Sequence, residues 1–184
     1  MKNTSYAARN AEKIREMTLA AVAAAIICIL APWKIPVGPI PITLATFAIY
    51  FVSAVLGWRR GAVATAVYVL LGAVGLPVFS GFIGGIHIVA GVTGGYIIGY
   101  VPLALITGLF SGMKKPLIML PLGMLLGTLA LYAFGTAWYC IAAKSALLPA
   151  VSLCVLPFIP LDLVKIVAAT LLAASVKPAV DKLS

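Results

Sequence analysis

The chain has 184 residues, of which 64% are hydrophobic and only 9% are charged, and its mean hydropathy is +1.18. A water-soluble globular domain of this length does not carry so much apolar surface, so the sequence predicts an integral membrane protein. The net charge of +9 does not indicate nucleic-acid binding, because the basic residues stand in short clusters at the ends of apolar runs.

The apolar residues fall into six runs, each ended by Gly, Pro, Lys or Arg. A transmembrane helix needs roughly 20 apolar residues, so about six spans use most of the chain and leave no room for a second domain. We therefore predict a single membrane domain over residues 1–184, an all-α bundle of six transmembrane helices that follows a polar N-terminal segment, 1–16. The predicted helices cover residues 17–31, 40–56, 62–75, 94–110, 117–134 and 151–175.

The first predicted helix carries alanines at helical spacing, Ala20 with Ala24 and Ala21 with Ala25. In lipid, small residues at this spacing allow two helices to approach closely. Because this helix is terminal, we expect these four alanines to be the place where a partner protein docks.

The breaks between the predicted helices alternate in charge along the chain. The N-terminal segment and every second break hold ten of the Lys and Arg residues, whereas the other breaks hold only Lys34 and Lys144. By the positive-inside rule, both termini are predicted to be cytoplasmic.

The break at 76–93, LPVFSGFIGGIHIVAGVT, is long, uncharged and rich in Gly and apolar residues. A solvated loop would be more polar, and irregular backbone enters a membrane protein only where it is buried or lines a cavity. We predict a re-entrant-like segment between the third and fourth helices, on the extracytoplasmic side, that forms a lid or a cavity wall. The alternative is an ordinary loop that lies flat on the bilayer.

Asp162 and Lys165 are the acidic and basic side chains placed within an apolar run. A charge at membrane depth costs several kcal/mol unless it has a partner or water, so such residues indicate a functional site. Their i, i+3 spacing places both on one face of a helix, whose start is marked by Pro157 and Pro160. The alternative is an ion pair that only satisfies itself.

The sequence lacks metalloprotease, nucleophile-elbow, nucleotide-binding and dinucleotide-binding motifs, so it does not indicate an enzyme. Its cysteines, Cys28, Cys140 and Cys154, have no metal-ligand spacing, and the single His87 does not complete a metal site with them. We expect no enzymatic activity, no cofactor and no metal.

Four stretches together resemble one known family. They are IP at 35–36 with PITL at 41–44, YVLLGAVGLPVFSG at 68–81, TGGY at 93–96 followed by Gly99, and PFIPLDLVK at 157–165. These stretches resemble the BioY family, the biotin-specific substrate-binding subunits, or S components, of energy-coupling factor (ECF) transporters. The resemblance spans about residues 31–174, although Ala45 stands where the family often has Gln, and Val92 where it usually has Pro.

The resemblance implies a six-helix bundle in a prokaryotic plasma membrane that binds biotin near its outer face. It also implies partners, namely a transmembrane coupling subunit and two cytoplasmic ATPases, which use the ATP and dock against the alanines of the first helix. Two other functions stay open, an S component for another vitamin such as thiamin or riboflavin, and a structural membrane subunit that transports nothing.

The chemistry of biotin suggests a role for each candidate residue. Asp162 would accept a hydrogen bond from a ureido N–H and Lys165 would donate one to the ureido oxygen. Alternatively, Lys165 would pair with the carboxylate of the valerate tail. The apolar bicycle would lie against Phe79, Tyr96 and Trp138, and the tail carboxylate would be bound by Ser80, His87, Thr93 and the backbone N–H groups of Gly94, Gly95 and Tyr96.

Overall fold

The computed structural model describes residues 2–36 and 40–183. Within them the chain is almost entirely helical, so the prediction of an all-α membrane protein is confirmed. Three helices are long and apolar enough to cross a membrane, Ala45–Val74, Pro116–Ala142 and Ile159–Lys182, and Gly94–Phe110 is apolar but shorter. The elements are α1 (Lys2–Leu30), β1 (Lys34–Ile35), β2 (Ile42–Thr43), α2 (Ala45–Val74), α3 (Ile86–Ala90), α4 (Gly94–Phe110), α5 (Pro116–Ala142), α6 (Leu147–Cys154) and α7 (Ile159–Leu183).

Helix α1 begins within the polar N-terminal segment. It starts at Lys2 rather than at residue 17, so most of segment 1–16 is the first part of a 29-residue helix. Its apolar part packs against α2. The sequence indicates a membrane span only from residue 17 onward, because only the apolar part has the composition of one.

Helix α2 consists of two halves, 45–56 and 58–74, separated by Gly57. This glycine has a φ of +81° and a ψ of 177°, a conformation open to glycine and not to other residues. A methyl group placed on Gly61 would lie 2.8 Å from the Cα of Ser53, whereas on a continuous helix residues 53 and 61 would be about 12 Å apart. The chain therefore reverses at Gly57, and the two halves pack side by side.

The predicted helix over 151–175 is instead two helices, α6 and α7, separated by a turn at 155–158. Pro157 accounts for this correction, because it lacks a backbone N–H and disfavours helical geometry in the preceding residue. Helix α7 begins at Ile159, so Asp162 lies in its first turn. A carboxylate at this end of a helix is stabilised by the helix dipole.

A short β-hairpin, which the sequence analysis did not predict, precedes α2. Strands β1 and β2 are antiparallel, with Lys34 opposite Thr43 and Ile35 opposite Ile42. Residues 40–43, predicted as the start of a helix, belong to this hairpin and its approach. Pro41 explains the change, since proline restricts the residue before it to extended geometry.

Segment 76–93 folds into a tight turn and then the short helix α3. The turn is closed by a hydrogen bond from the Phe79 N–H to the Ile83 carbonyl. It lies against the chain that leads into the β-hairpin, where the Gly81 N–H donates to the Pro32 carbonyl at 2.8 Å and the Phe82 ring meets Trp33 edge-on. The segment therefore covers one end of the helices together with the hairpin.

The helices pack so that α4 lies between α2 and α5, while α7 contacts both α2 and α5. The first turn of α7 consequently faces side chains from two other helices, α2 and α5. This arrangement brings Asp162 and Lys165 into the interior of the protein.

Candidate ligand-binding site

Asp162 and Lys165 form an ion pair inside the protein. The Lys165 ammonium lies 3.0 Å from Asp162 Oδ1, and the residue Asp162 is only 4% exposed. The ammonium also donates to Thr46 Oγ1 at 3.0 Å, and the Thr46 hydroxyl donates to Asp162 Oδ1 at 3.3 Å. Residues 46, 162 and 165 thus form a closed triangle between α2 and α7.

Tyr132 of α5 holds the other oxygen of the carboxylate. Its hydroxyl donates to Asp162 Oδ2 over 2.6 Å. Nothing in the sequence pointed to Thr46 or Tyr132, because a single hydroxyl residue in an apolar helix is a weak signal. Together they fix the orientation of the carboxylate from two helices other than its own.

The described protein contacts do not use every hydrogen-bonding position of the ion pair. A carboxylate offers about four acceptor positions, and Asp162 uses three of them within the described residues, for Lys165, Thr46 and Tyr132. An ammonium has three N–H donors, and Lys165 uses two. One acceptor position on Asp162 and one N–H of Lys165 therefore have no partner among the described residues.

A small cavity of about 40 Å³ adjoins the ion pair, and we call it the pair cavity. It adjoins a larger cavity of about 190 Å³, the aromatic cavity, since five residues line both: Ile40, Pro41, Thr43, Tyr96 and Tyr100. The aromatic cavity is also bounded by Tyr68, Phe79, Ile83, Ile88 and Ile97. The two cavities together offer an apolar chamber with charged groups at its side.

Six of the ten predicted ligand-binding residues line these cavities. Asp162 and Lys165 line the pair cavity, Tyr96 lines both, and Phe79, Ser80 and Thr93 line the aromatic cavity. Segment 76–93 thus contributes five residues to a cavity wall, these three together with Ile83 and Ile88. Phe79 is held there by an edge-on contact with the ring of Tyr68.

The other four predicted residues, Gly94, Gly95, Trp138 and His87, are not among the described residues that line either cavity. Gly95 is instead a point of close packing, because a methyl group there would lie 2.2 Å from Trp138 Cβ. The Trp138 ring N–H donates to the Gly91 carbonyl at 3.0 Å. This tryptophan therefore fastens the start of α4 to α5 and does not form a cavity wall.

Gly94 and His87 also have contacts that explain their positions. A methyl group on Gly94 would meet the Val89 carbonyl oxygen at 1.8 Å, so the glycine permits a tight turn. His87 is exposed, and its ring lies against the backbone of Gly85. The structure therefore gives no support to the carboxylate-binding roles predicted for these two residues.

The four alanines of α1 divide into two pairs. Ala20 and Ala24 are buried in the protein's own core, while Ala21 and Ala25 are exposed. The prediction that a partner docks on Ala20 and Ala24 is corrected, because α2 already covers that face of α1. A docking surface on this helix would use the exposed pair.

Comparison with known proteins places the chain in a family. The family model described as "BioY family" matches residues 1–182, nearly the whole chain. The chain belongs to the BioY family. Among curated members it resembles "Biotin transporter BioY" of Thermotoga maritima, 36% identical over 89% of this chain and 96% of that protein. It also resembles "Probable biotin transporter BioY" of Pyrococcus horikoshii, 37% identical over 88% of this chain and 95% of that protein.

A solved structure of a BioY-like fold agrees with this assignment. The crystal structure of the S-component for biotin from an ECF-type ABC transporter superposes with a TM-score of 0.82. It is 27% identical in sequence and covers 92% of this chain and 94% of the other. The match therefore extends over most of both chains.

Proposed function

We propose that this protein is the biotin-binding S component of an ECF-type vitamin transporter. The observation that carries the proposal is the Asp162–Lys165 pair, which keeps one acceptor and one donor open beside an apolar cavity in a chain of the BioY family. The relatives are named as biotin transporters, and this protein is accordingly a transport protein and not an enzyme.

The free donor and acceptor match a cyclic urea. One ureido N–H donates to the open position on Asp162, and the ureido oxygen accepts from the remaining N–H of Lys165. Such charge-assisted hydrogen bonds are stronger than neutral ones and gain further in a dry site. The apolar remainder of the bicycle lies in the aromatic cavity, against Phe79 and Tyr96.

The same geometry provides specificity. A ligand without the urea enters the aromatic cavity but leaves the open donor and acceptor of the pair without partners. Buried polar groups left unpaired cost about 1 to 3 kcal/mol each, more if charged, so such ligands are rejected.

Movement across the membrane requires partners, because the sequence has no nucleotide-binding motif. We propose a transmembrane coupling subunit and two cytoplasmic ATPases, with the exposed Ala21–Ala25 face of α1 as the docking surface. The ligand is captured on the outer side, and ATP hydrolysis by the partners drives its delivery.

Equilibrium binding of the purified protein to a panel of vitamins tests the proposal. We expect biotin and desthiobiotin to bind, since both carry the urea, and thiamin and riboflavin not to compete at a thousandfold excess. Preferential binding of thiamin or riboflavin would indicate an S component for another vitamin. Binding of no vitamin at all would favour a structural subunit.

We also propose that the chain crosses the membrane six times, with both termini in the cytoplasm. Support comes from the reversal at Gly57, which turns α2 into two antiparallel halves, and from the ten-to-two distribution of Lys and Arg between the two sets of breaks. In this topology α1, the halves of α2, α4, α5 and α7 are the spans. Segment 76–93 and the β-hairpin then cover the cavities on the outer side, with 76–93 as a re-entrant-like lid.

Cysteine labelling in intact cells tests this topology. In a variant whose three native cysteines are replaced, a cysteine at the exposed position Ile86 should react with a membrane-impermeant reagent. A cysteine at Asn10 should react only after the membrane is opened. The reverse pattern would contradict the proposed orientation.

A further inference from the structure

Lys34 of β1 is a second cation beside the cavities, on a different element from the Asp162–Lys165 pair, although it shares a surface groove with Lys165. It lines the aromatic cavity but not the pair cavity. The chain has four acidic residues, and the two salt bridges within residues 2–36 and 40–183 use Glu16 and Asp162, neither with Lys34. Its ammonium therefore has no carboxylate partner among the described residues.

The ammonium of Lys34, an exposed residue, lies against the turn of segment 76–93. A methyl group on Gly81 would lie 2.4 Å from Lys34 Nζ, so the lysine lies directly against a glycine with a φ of +84°. The Gly81 N–H is itself bonded to the Pro32 carbonyl. The β-hairpin and the turn thus carry the cation at the wall of the aromatic cavity.

Ser80, the neighbour of Gly81, supplies an unpaired hydroxyl at the same wall. Its Oγ is buried and has no hydrogen-bond partner among the described residues, and the residue lines the aromatic cavity. A buried hydroxyl without a partner costs free energy unless a ligand or water satisfies it. A hydroxyl and an ammonium that line one cavity match the requirements of a carboxylate.

We propose that Lys34 and Ser80 form the carboxylate subsite of this protein and bind the valerate tail of biotin. The inference rests on the proposed function and assigns the orientation of the ligand. The urea lies at the Asp162–Lys165 pair, the bicycle lies in the aromatic cavity, and the tail runs to the hairpin. Lys165, whose ammonium is already held by Asp162 and Thr46, does not bind the tail.

Charge balance favours this orientation. Asp162 already neutralises Lys165, whereas Lys34 is a net positive charge without a protein counter-ion. An anionic ligand is attracted to that charge as it approaches, and the contact with its carboxylate is a charge-assisted hydrogen bond.

The test combines a change in the protein with a change in the ligand. Biotin and biotinamide, in which an uncharged amide replaces the carboxylate, are titrated into wild-type protein, Lys34→Met and Lys144→Met. Lys144 is the control, because it is the other basic residue in the same set of breaks and does not line either cavity. We expect Lys34→Met to lower the affinity for biotin about tenfold and the affinity for biotinamide less than about twofold.

Two further results are expected if the subsite is correct. Ser80→Ala should lower the affinity for biotin about threefold and leave the affinity for biotinamide unchanged. Raising the salt concentration should reduce the effect of Lys34→Met on the affinity for biotin. Lys144→Met should alter neither ligand.

Three outcomes would overturn the inference. If Lys34→Met loses the same factor in affinity for biotin and for biotinamide, the lysine acts on the fold and not on the carboxylate. If Lys34→Met still binds biotin more tightly than biotinamide, but Lys165→Met binds the two equally, the tail lies at Lys165. If wild-type protein binds neither biotin nor biotinamide, the proposed function itself fails, a result distinct from the other two.

Discussion

Replacing Asp162 by Asn is expected to weaken biotin binding by about 2 to 4 kcal/mol, which is about 30-fold to 1,000-fold in Kd. The change keeps the shape of the side chain but removes its negative charge. The ligand loses a charge-assisted hydrogen bond, and Lys165 is left as a buried cation without a counter-ion. The affinity for desthiobiotin, which keeps the urea, should fall by as much as the affinity for biotin.

Isothermal titration with biotin, together with thermal unfolding in detergent, measures this effect. Asp181→Asn is a matched control, because Asp181 is also on α7 but is exposed and does not line either cavity. Tyr132→Phe removes one hydrogen bond to the carboxylate but keeps the charge, so its effect on affinity should be smaller than that of Asp162→Asn.

The competing interpretation is an ion pair that only stabilises the fold. Under it, Asp162→Asn lowers the unfolding temperature while the folded fraction binds biotin normally. A double-mutant cycle with Lys165→Met separates the two, since contacts to one ligand ring should be strongly non-additive. A folded Asp162→Asn protein with wild-type affinity would remove the pair from the site.

The sequence alone was sufficient to predict the charged pair. Charges are so costly in a membrane span that their mere presence carries information, and the spacing of Asp162 and Lys165 allows a contact. Thr46 and Tyr132 were not predicted, because hydroxyl residues are tolerated in membrane helices. Which hydroxyl residues contact the carboxylate depends on the rotation of α2 and α5 about their axes and on their shift along them. The apolar composition of the helices does not specify either quantity.

Local backbone geometry accounts for the errors in the predicted elements. The break predicted between the second and third helices, residues 57–61, contains Gly57, where the chain reverses with a positive φ. The division between α6 and α7 was marked in the sequence by Pro157. It was overlooked because apolar residues continue through the turn.

Gly94 and Gly95 illustrate why site residues are harder to predict than spans. A glycine pair at a helix start suggests backbone N–H groups open to an anion, yet the same pair is needed wherever another group packs too closely for a Cβ. Here the close groups are the Val89 carbonyl and Trp138. The sequence contains no information that distinguishes the two uses.

The proposed docking surface on α1 leads to a second large expected effect. Ala21→Trp or Ala25→Trp should abolish association with the coupling subunit and leave biotin binding intact. In lipid, helices associate through close van der Waals packing of small residues, and an indole ring on this exposed strip would hold the two helices apart. Neither alanine lines the cavities, so the ligand site should be unaffected.

The exposed pair is the informative choice for this experiment. Ala24 is only 3% exposed, so a tryptophan there would disrupt the packing of α1 on α2, and a lost complex would reflect a damaged fold. Val167→Trp is the matched control, because Val167 is an exposed apolar residue on α7. It places the same ring against lipid on another helix.

Co-purification of the tagged protein with co-expressed coupling subunit and ATPases measures association, and biotin titration of the same preparations measures the ligand site. We expect the Ala21→Trp and Ala25→Trp proteins to bind biotin with wild-type affinity but to purify alone, while Val167→Trp purifies with its partners. Wild-type recovery of the partners with both alanine variants would place the docking surface elsewhere on the protein. Loss of the partners with Val167→Trp as well would show that added bulk on any lipid-facing helix disturbs assembly, and the assignment to α1 would no longer hold.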